Sequence, residues 1–233
     1  MYNAVYTAVK AVRPDAKLGG PYIVIQGDGA VNIGKSGRDT HVPIDSRDKK
    51  VLSYWLENNV GADFICADYS LPDYHDPNSY THEEMMQLTP MFGKWISDIR
   101  GMTNLPIVIS EFYAGADADD WEFTAANYAS CFNHALINGA SIALQWNPEE
   151  GELKSFLFTD TDKADGGQPT PLYFVIKAIN DFFSTGTDIV TSTSSSDWIE
   201  VLASENKTML INKKDESVTV NVNGQAVELN RYE

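Results

Sequence analysis

The chain has 233 residues, 43% of them hydrophobic and 21% charged, with a formal net charge of −16. That length holds one large domain, or one domain with a small companion, and the composition is that of a globular chain rather than a disordered one. The acidic balance excludes nucleic acid and anionic membrane as partners, because both require a basic surface. No apolar run approaches the ~20 residues of a membrane span. The two cysteines, Cys66 and Cys131, fall on a predicted strand and a predicted helix. They read as buried small residues, not as a disulfide or a metal site, and no cofactor is expected.

The opening "MYNAVYTAVKAVRP" has neither the basic start nor the continuous apolar core of a signal peptide. It reads as an amphipathic helix: Val5, Val9 and Val12 share a face with Tyr2, and Pro14 ends the pattern. "AKLGGPYIVIQ" is a short apolar strand entered through Gly19, Gly20 and Pro21. A long polar, Gly-rich connection follows. Residues 46–60 predict a helix with Val51, Leu52, Trp55 and Leu56 on one face, and "ADFICADYS" is the second strand. Residues 82–100 read as helical in two pieces. Thr89 and Pro90 supply the N-cap and first position of the second piece.

"LPIVISEFY" is the third strand, residues 120–138 the next helix, and "GASIALQWN" the fourth strand. The helix "TPLYFVIKAINDFF" again opens on a Thr-Pro pair. Continuous apolar strands alternating with amphipathic helices predict an α/β fold built from parallel β-α units. From about residue 187 the pattern changes to apolar-polar alternation, and Asn223-Gly224 marks a hairpin turn. The expected division is 1–186 for the α/β part and 187–233 for a small antiparallel, β-sandwich-like domain.

In parallel β-α architectures chemistry collects at the C-terminal ends of the strands. Strand one ends with Tyr22 and Gln26. Strand two ends with Asp68 and Tyr69, followed by Asp73 and His75. Strand three carries Glu111 and Tyr113. Strand four carries Gln145 and Trp146, followed by Asn147, Glu149 and Glu150. This inventory of carboxylates, amides and aromatics suits sugars, whose rings stack on aromatics and whose hydroxyls bond to acids and amides. No phosphate-cradling glycine loop, no H-E-x-x-H and no G-x-S-x-G is present. Asp160, Asp162 and Asp165 in "TDTDKADGG" read as a solvated loop, since the terminal Glu of a calcium loop is missing.

Three of these segments resemble clan A glycoside hydrolases in order along the chain. "AVRPDAKLGGPY" resembles the passage from the fourth barrel helix into the fifth strand. "PIVISEFY" resembles the seventh strand, whose terminal Glu is the nucleophile, and "GASIALQWN" the eighth, whose Trp floors the sugar site. The relatives suggested are β-xylosidase/iduronidase-like and agarase-like enzymes. The resemblance covers most of residues 1–185. It implies the C-terminal half of a (β/α)8 TIM barrel with Glu111 as nucleophile. Tyr22, Asp68, Tyr69, His75, Tyr113, Gln145 and Trp146 are the candidate substrate-binding residues.

Other roles remain open at the sequence level. Glu111 can cap a helix or pair with an arginine. Asp68 can cap a loop or stand in for a missing acid. His75 can bond Asp73 or Asp76, and Trp146 can be a core aromatic. The family's acid/base, a Glu after Asn at the end of strand four, has no counterpart, because the first Glu in the chain is Glu57 inside a helix. A truncated retaining glycosidase is therefore expected, derived from an enzyme of β-linked poly- or oligosaccharides, with negligible activity alone. Its rival is a non-catalytic carbohydrate-binding module. An extracellular or periplasmic setting is implied for the parent enzyme. Half a barrel has two free sheet edges, so a homodimer or a missing N-terminal half-barrel is the expected cover.

Overall fold

The computed structural model describes residues 1–25, 43–71, 80–151 and 154–233. Gln26, His41, Asp73 and His75 lie outside the described residues. The α/β part runs α1 (Tyr2–Val12), β1 (Gly19–Ile25), α2 (Ser46–Asn58), β2 (Phe64–Ser70), α3 (His82–Leu88), α4 (Pro90–Arg100), β3 (Ile107–Tyr113), α5 (Trp121–Ile137), β4 (Ala140–Gln145) and α6 (Pro171–Phe182). Beyond it lie β5 (Ile189–Val190), β6 (Ile199–Ser204), β7 (Thr208–Asn212), β8 (Val218–Val222) and β9 (Gln225–Leu229).

Strands β1 to β4 form one parallel sheet in the order β1-β2-β3-β4. Sequential neighbours throughout exclude a doubly wound sheet, whose strand order reverses at a switch point. The architecture is an α/β fold consistent with a partial barrel, followed by small antiparallel sheets, β5-β6-β7 and β8-β9. The β8–β9 turn is the predicted Asn223-Gly224 hairpin. Both residues have positive φ, 51° and 91°, which this pair adopts at little cost.

Local chemistry sets the helix starts. The Asp45 carboxylate accepts from the Arg47 amide at 2.7 Å to open α2, and Asp120 accepts from the Phe123 amide at 3.0 Å to open α5. Thr81 and Glu84 form a reciprocal capping box at α3. Thr89 and Pro90 divide α3 from α4 as predicted, but the Thr89 hydroxyl donates back to the Met86 carbonyl instead of capping α4.

The core lies between the sheet and α2–α6. Leu52, Phe92, Trp95, Ile96, Ile99, Ile107, Ile109, Phe112, Tyr128 and Leu172 belong to one buried cluster. Phe112 meets Phe132 edge-on at 4.8 Å and Tyr128 at 5.2 Å. Helix α1 departs from its sequence pattern: none of its residues is buried, and Val5 and Val12 of the predicted apolar face are exposed. Among the described residues no helix is long and apolar enough to cross a membrane.

Polar contacts join the antiparallel part to α5. The Glu200 carboxylate accepts from Ser130 at 2.8 Å, Asn133 at 3.1 Å and Lys213 at 2.7 Å, and bonds the His134 ring at 2.9 Å. Burial alone would raise the Glu200 pKa. The His134 hydrogen bond and the Lys213 charge outweigh it and hold the carboxyl at about 2. Tyr232 packs on Phe123 at 5.5 Å, and the Arg231 guanidinium pairs with Asp120.

Candidate functional site

One face of the parallel sheet carries the helices. The other is open. Along β4, Ile142, Leu144 and Trp146 alternate with residues of the opposite face and are 49%, 51% and 53% exposed. On β1, Tyr22 and Val24 are each 50% exposed. Between these outer strands, the ends of β2 and β3 bring two carboxylates side by side: Asp68 and Glu111 are paired positions in the register.

Two irregularities aim this constellation. In β1 the register jumps from Pro21 to Ile23, so Tyr22 is extruded from the pairing, with φ at 56°. In β3 the register passes from Ile109 to Glu111, leaving Ser110 as the extra residue. Bulges of this kind redirect side chains and gather beside active sites. Here they let the Tyr22 hydroxyl reach across β2 and donate to Glu111 Oε2 at 2.6 Å. The Tyr113 hydroxyl, two residues beyond Glu111 on the same face, donates to Oε1. Both oxygens of Glu111 thus accept from a phenol, which fixes the orientation of the carboxylate. The hydrogen bond to Glu111 pushes the Tyr22 phenol up to about 12.

Asp68 differs in kind. It is only 8% exposed, and its Oδ1 is buried with no hydrogen-bond partner among the described residues. Burial first, and the Glu111 charge second, push its carboxyl up to about 6. Asp68 therefore keeps its proton to a higher pH than an exposed aspartate does.

The other candidates separate clearly. Tyr69 is not on this face. It is fully buried on the helix side, stacked on Phe92 at 5.8 Å and near Trp95 at 5.6 Å. Successive strand residues face opposite sides, so the inward turn of Asp68 sends Tyr69 outward. Gln145 spends its side-chain amide on the backbone, donating to the Ser155 carbonyl at 2.6 Å and the Asn147 carbonyl at 3.2 Å. It thereby fixes the turn that carries Trp146.

Glu149 accepts from the Thr161 amide at 2.7 Å, and Glu150 pairs with Lys163 at 2.9 Å, so both hold the following loop together. No group of three or more His, Cys, Asp or Glu residues suited to a metal occurs among the described residues. Sequence reasoning named Tyr22 as a sugar contact and missed it as a partner of Glu111. No pattern in the chain announces a bulge that reaches over a whole strand.

No family model and no curated protein matches the chain. Solved structures do. A glucosidase from Croceicoccus marinus superposes with a TM-score of 0.53 at 15% identity, over 99% of this chain and 48% of the glucosidase. A monomeric β-xylosidase from Caulobacter crescentus gives a TM-score of 0.46 at 12% identity, over 91% of this chain and 41% of its own. SrfJ from Salmonella typhimurium gives 0.47 at 11% identity, over 97% and 69%. The chain spans about half the length of the glucosidase. At this identity the likeness concerns the fold, which is glycosidase-like.

Proposed function

We propose that the open face of the β1–β4 sheet is the nucleophile half of a retaining glycoside hydrolase site for β-linked poly- or oligosaccharides. Glu111 is the nucleophile. The observation that carries this reading is its partly exposed carboxylate near a strand end, with each oxygen held by a tyrosine hydroxyl. Retaining glycosidases pair such a nucleophile with a second carboxyl group about 5–5.5 Å away that protonates the departing oxygen. Phenol hydroxyls on both oxygens hold the carboxylate in one orientation.

In the first step a Glu111 oxygen forms a bond to the anomeric carbon. The glycosidic C–O bond breaks, and its electron pair leaves with the aglycone. Water then attacks the anomeric carbon of the glycosyl ester, the C–O bond to Glu111 breaks to restore the carboxylate, and the proton lost by the water passes to bulk solvent. General acid assistance contributes typically ~10²–10⁴-fold in such enzymes, so an activated aglycone isolates the nucleophile's own step.

A 2,4-dinitrophenyl 2-deoxy-2-fluoroglycoside tests the step, since its aglycone departs without a proton. Mass spectrometry should find one glycosyl group on the peptide containing Glu111, and Glu111→Gln should abolish it. Labelling elsewhere, or none across a panel of β-configured sugars, overturns the nucleophile assignment.

A second reading, carbohydrate binding without catalysis, draws on the exposed Trp146 indole. Under that reading oligosaccharides shift Trp fluorescence in the protein but not in Trp146→Ala, while the fluoroglycoside leaves no label.

A further inference from the structure

A cleft lies across α5 from the parallel sheet. Tyr128 and Phe132 turn one face of α5 to Phe112 of β3. Ser130, Asn133, His134 and Ile137 follow the i, i+3, i+4, i+7 spacing and share another face. That face meets the antiparallel part through Glu200. Between them is a cavity of about 600 Å³, lined also by Gln87 and Pro90 at the α3–α4 junction and by the stretch leading into β6. Its size and its place at the seam of two structural parts are those of a small-molecule site.

The floor carries an unanswered acceptor. Asn133 is only 2% exposed, and its Nδ2 donates to Glu200 Oε2 at 3.1 Å. Its Oδ1 is buried and has no hydrogen-bond partner among the described residues. Exchanging the two amide atoms would not help, because it sets Oδ1 against the Glu200 carboxylate. Buried polar atoms are seldom left without a partner. The cavity beside this one is far larger than a single water needs.

The charges around the floor select the donor. Lys213 Nζ and Glu200 Oε1 pair at 2.7 Å. An incoming cation would meet the lysine, and an incoming anion the glutamate. A neutral hydroxyl meets neither penalty. The walls supply apolar surface from Pro90, Ile137 and Val201 and from the partly buried Trp198, while Ser194 and Asp197 add polar groups from exposed positions. A sugar ring, with hydroxyls at its edge and C–H groups on its faces, can use both kinds of surface.

We propose that this cleft is a carbohydrate-binding site for a neutral pyranose, with one hydroxyl donating to Asn133 Oδ1 and one ring face lying on Trp198. It uses none of the residues assigned to the glycosidase reading, so either can fail alone.

Titrating the ¹⁵N-labelled chain with D-glucose and D-xylose, with glycerol as control, tests it by NMR. The Trp198 indole and Asn133 side-chain amide signals should shift and saturate with at least one sugar. A dissociation constant of about 1–10 mM is expected for so small a ligand. Ile137 is 49% exposed, so Ile137→Trp can fill the cleft without entering the core, and it should weaken binding by ~10-fold or more. Ser194→Trp, at another exposed lining position, serves the same purpose should the first variant fail to fold. Trp146→Ala and Glu111→Gln should leave the titration unchanged. No saturable shift with either sugar overturns the proposal. So does an equal response to glycerol, or binding that survives both blocking substitutions and is lost in Trp146→Ala.

Discussion

Two carboxylates, Glu111 and Glu200, each accept hydrogen bonds on both oxygens, and the contrast between them separates the proposed nucleophile from a structural acid. Glu200 lies between α5 and the antiparallel part, bonded to Ser130, Asn133, His134 and Lys213, with the Lys213 side chain only 4% exposed. Its charge is matched by a buried cation, so it joins two regions and has nothing left to offer a ligand. Glu111 is held by two neutral phenols on an open face. It is partly exposed. Glu200 has four partners and Glu111 two, and a buried cation stands only beside Glu200 among those partners.

The largest expected effect tests the structural member. Glu200→Ala strands Lys213 and His134 without their acceptor, and breaking a buried pair costs about 3–5 kcal/mol. Urea unfolding should show that loss, whereas Glu111→Gln should change stability by less than about 1 kcal/mol. Equal costs would erase the contrast.

Acid provides a second view of Glu200. Its folded pKa, about 2, lies below the ordinary 4.5. Its contribution is therefore fully present above pH 4.5 and is lost as pH falls through about 2. Thermal melts through that window should fall more steeply for the wild type than for Glu200→Gln.

These two sites were unequally legible in the sequence. Glu111 and Tyr113 lie two residues apart on a strand, so the chain itself places them on one face, and the alternation Ile142, Leu144, Trp146 does the same for β4. Glu200 and His134 are 66 positions apart and meet only through the packing of β6 on α5, which no local pattern encodes. Its place at a strand end points Tyr69 to the site, yet neighbouring residues of a strand face opposite sides, and Tyr69 is buried against Phe92 and Trp95. The amphipathic pattern of α1 correctly gave a helix. It could not say what covers the helix, since hydrophobic periodicity specifies a face and not its partner.

Asp68 sharpens the contrast with the opposite sign. Its folded pKa, about 6, lies above the ordinary 3.8. The folded state therefore holds the proton more tightly than the unfolded chain. Ionised Asp68 costs stability in full above pH 6, and the cost fades as pH falls towards 3.8. A shift of this size corresponds to about 1–3 kcal/mol. Asp68→Asn should stabilise the protein by that order at pH 8 and make little difference at pH 4, read from urea midpoints at the two values. Destabilisation at pH 8 would mean that the buried carboxylate has a donor that the asparagine cannot replace.

The smallest effect concerns a single proton on the other side of the pair. The hydrogen bond from Tyr22 to Glu111 raises the Tyr22 phenol from 10.0 to about 12, because deprotonation would set two anions against each other across that bond. Replacing Glu111 by Gln removes the negative charge but keeps an acceptor at the same place. The Tyr22 ring carbons, followed by NMR through an alkaline titration, should therefore titrate nearer 10 in Glu111→Gln than in the wild type. Asp68→Asn should move them less, because Asp68 acts on Tyr22 only through its more distant charge. If Asp68→Asn shifted Tyr22 more than Glu111→Gln does, the phenol would be bonded to the wrong carboxylate, and Glu111 would lose one of the two donors that set it apart from Glu200.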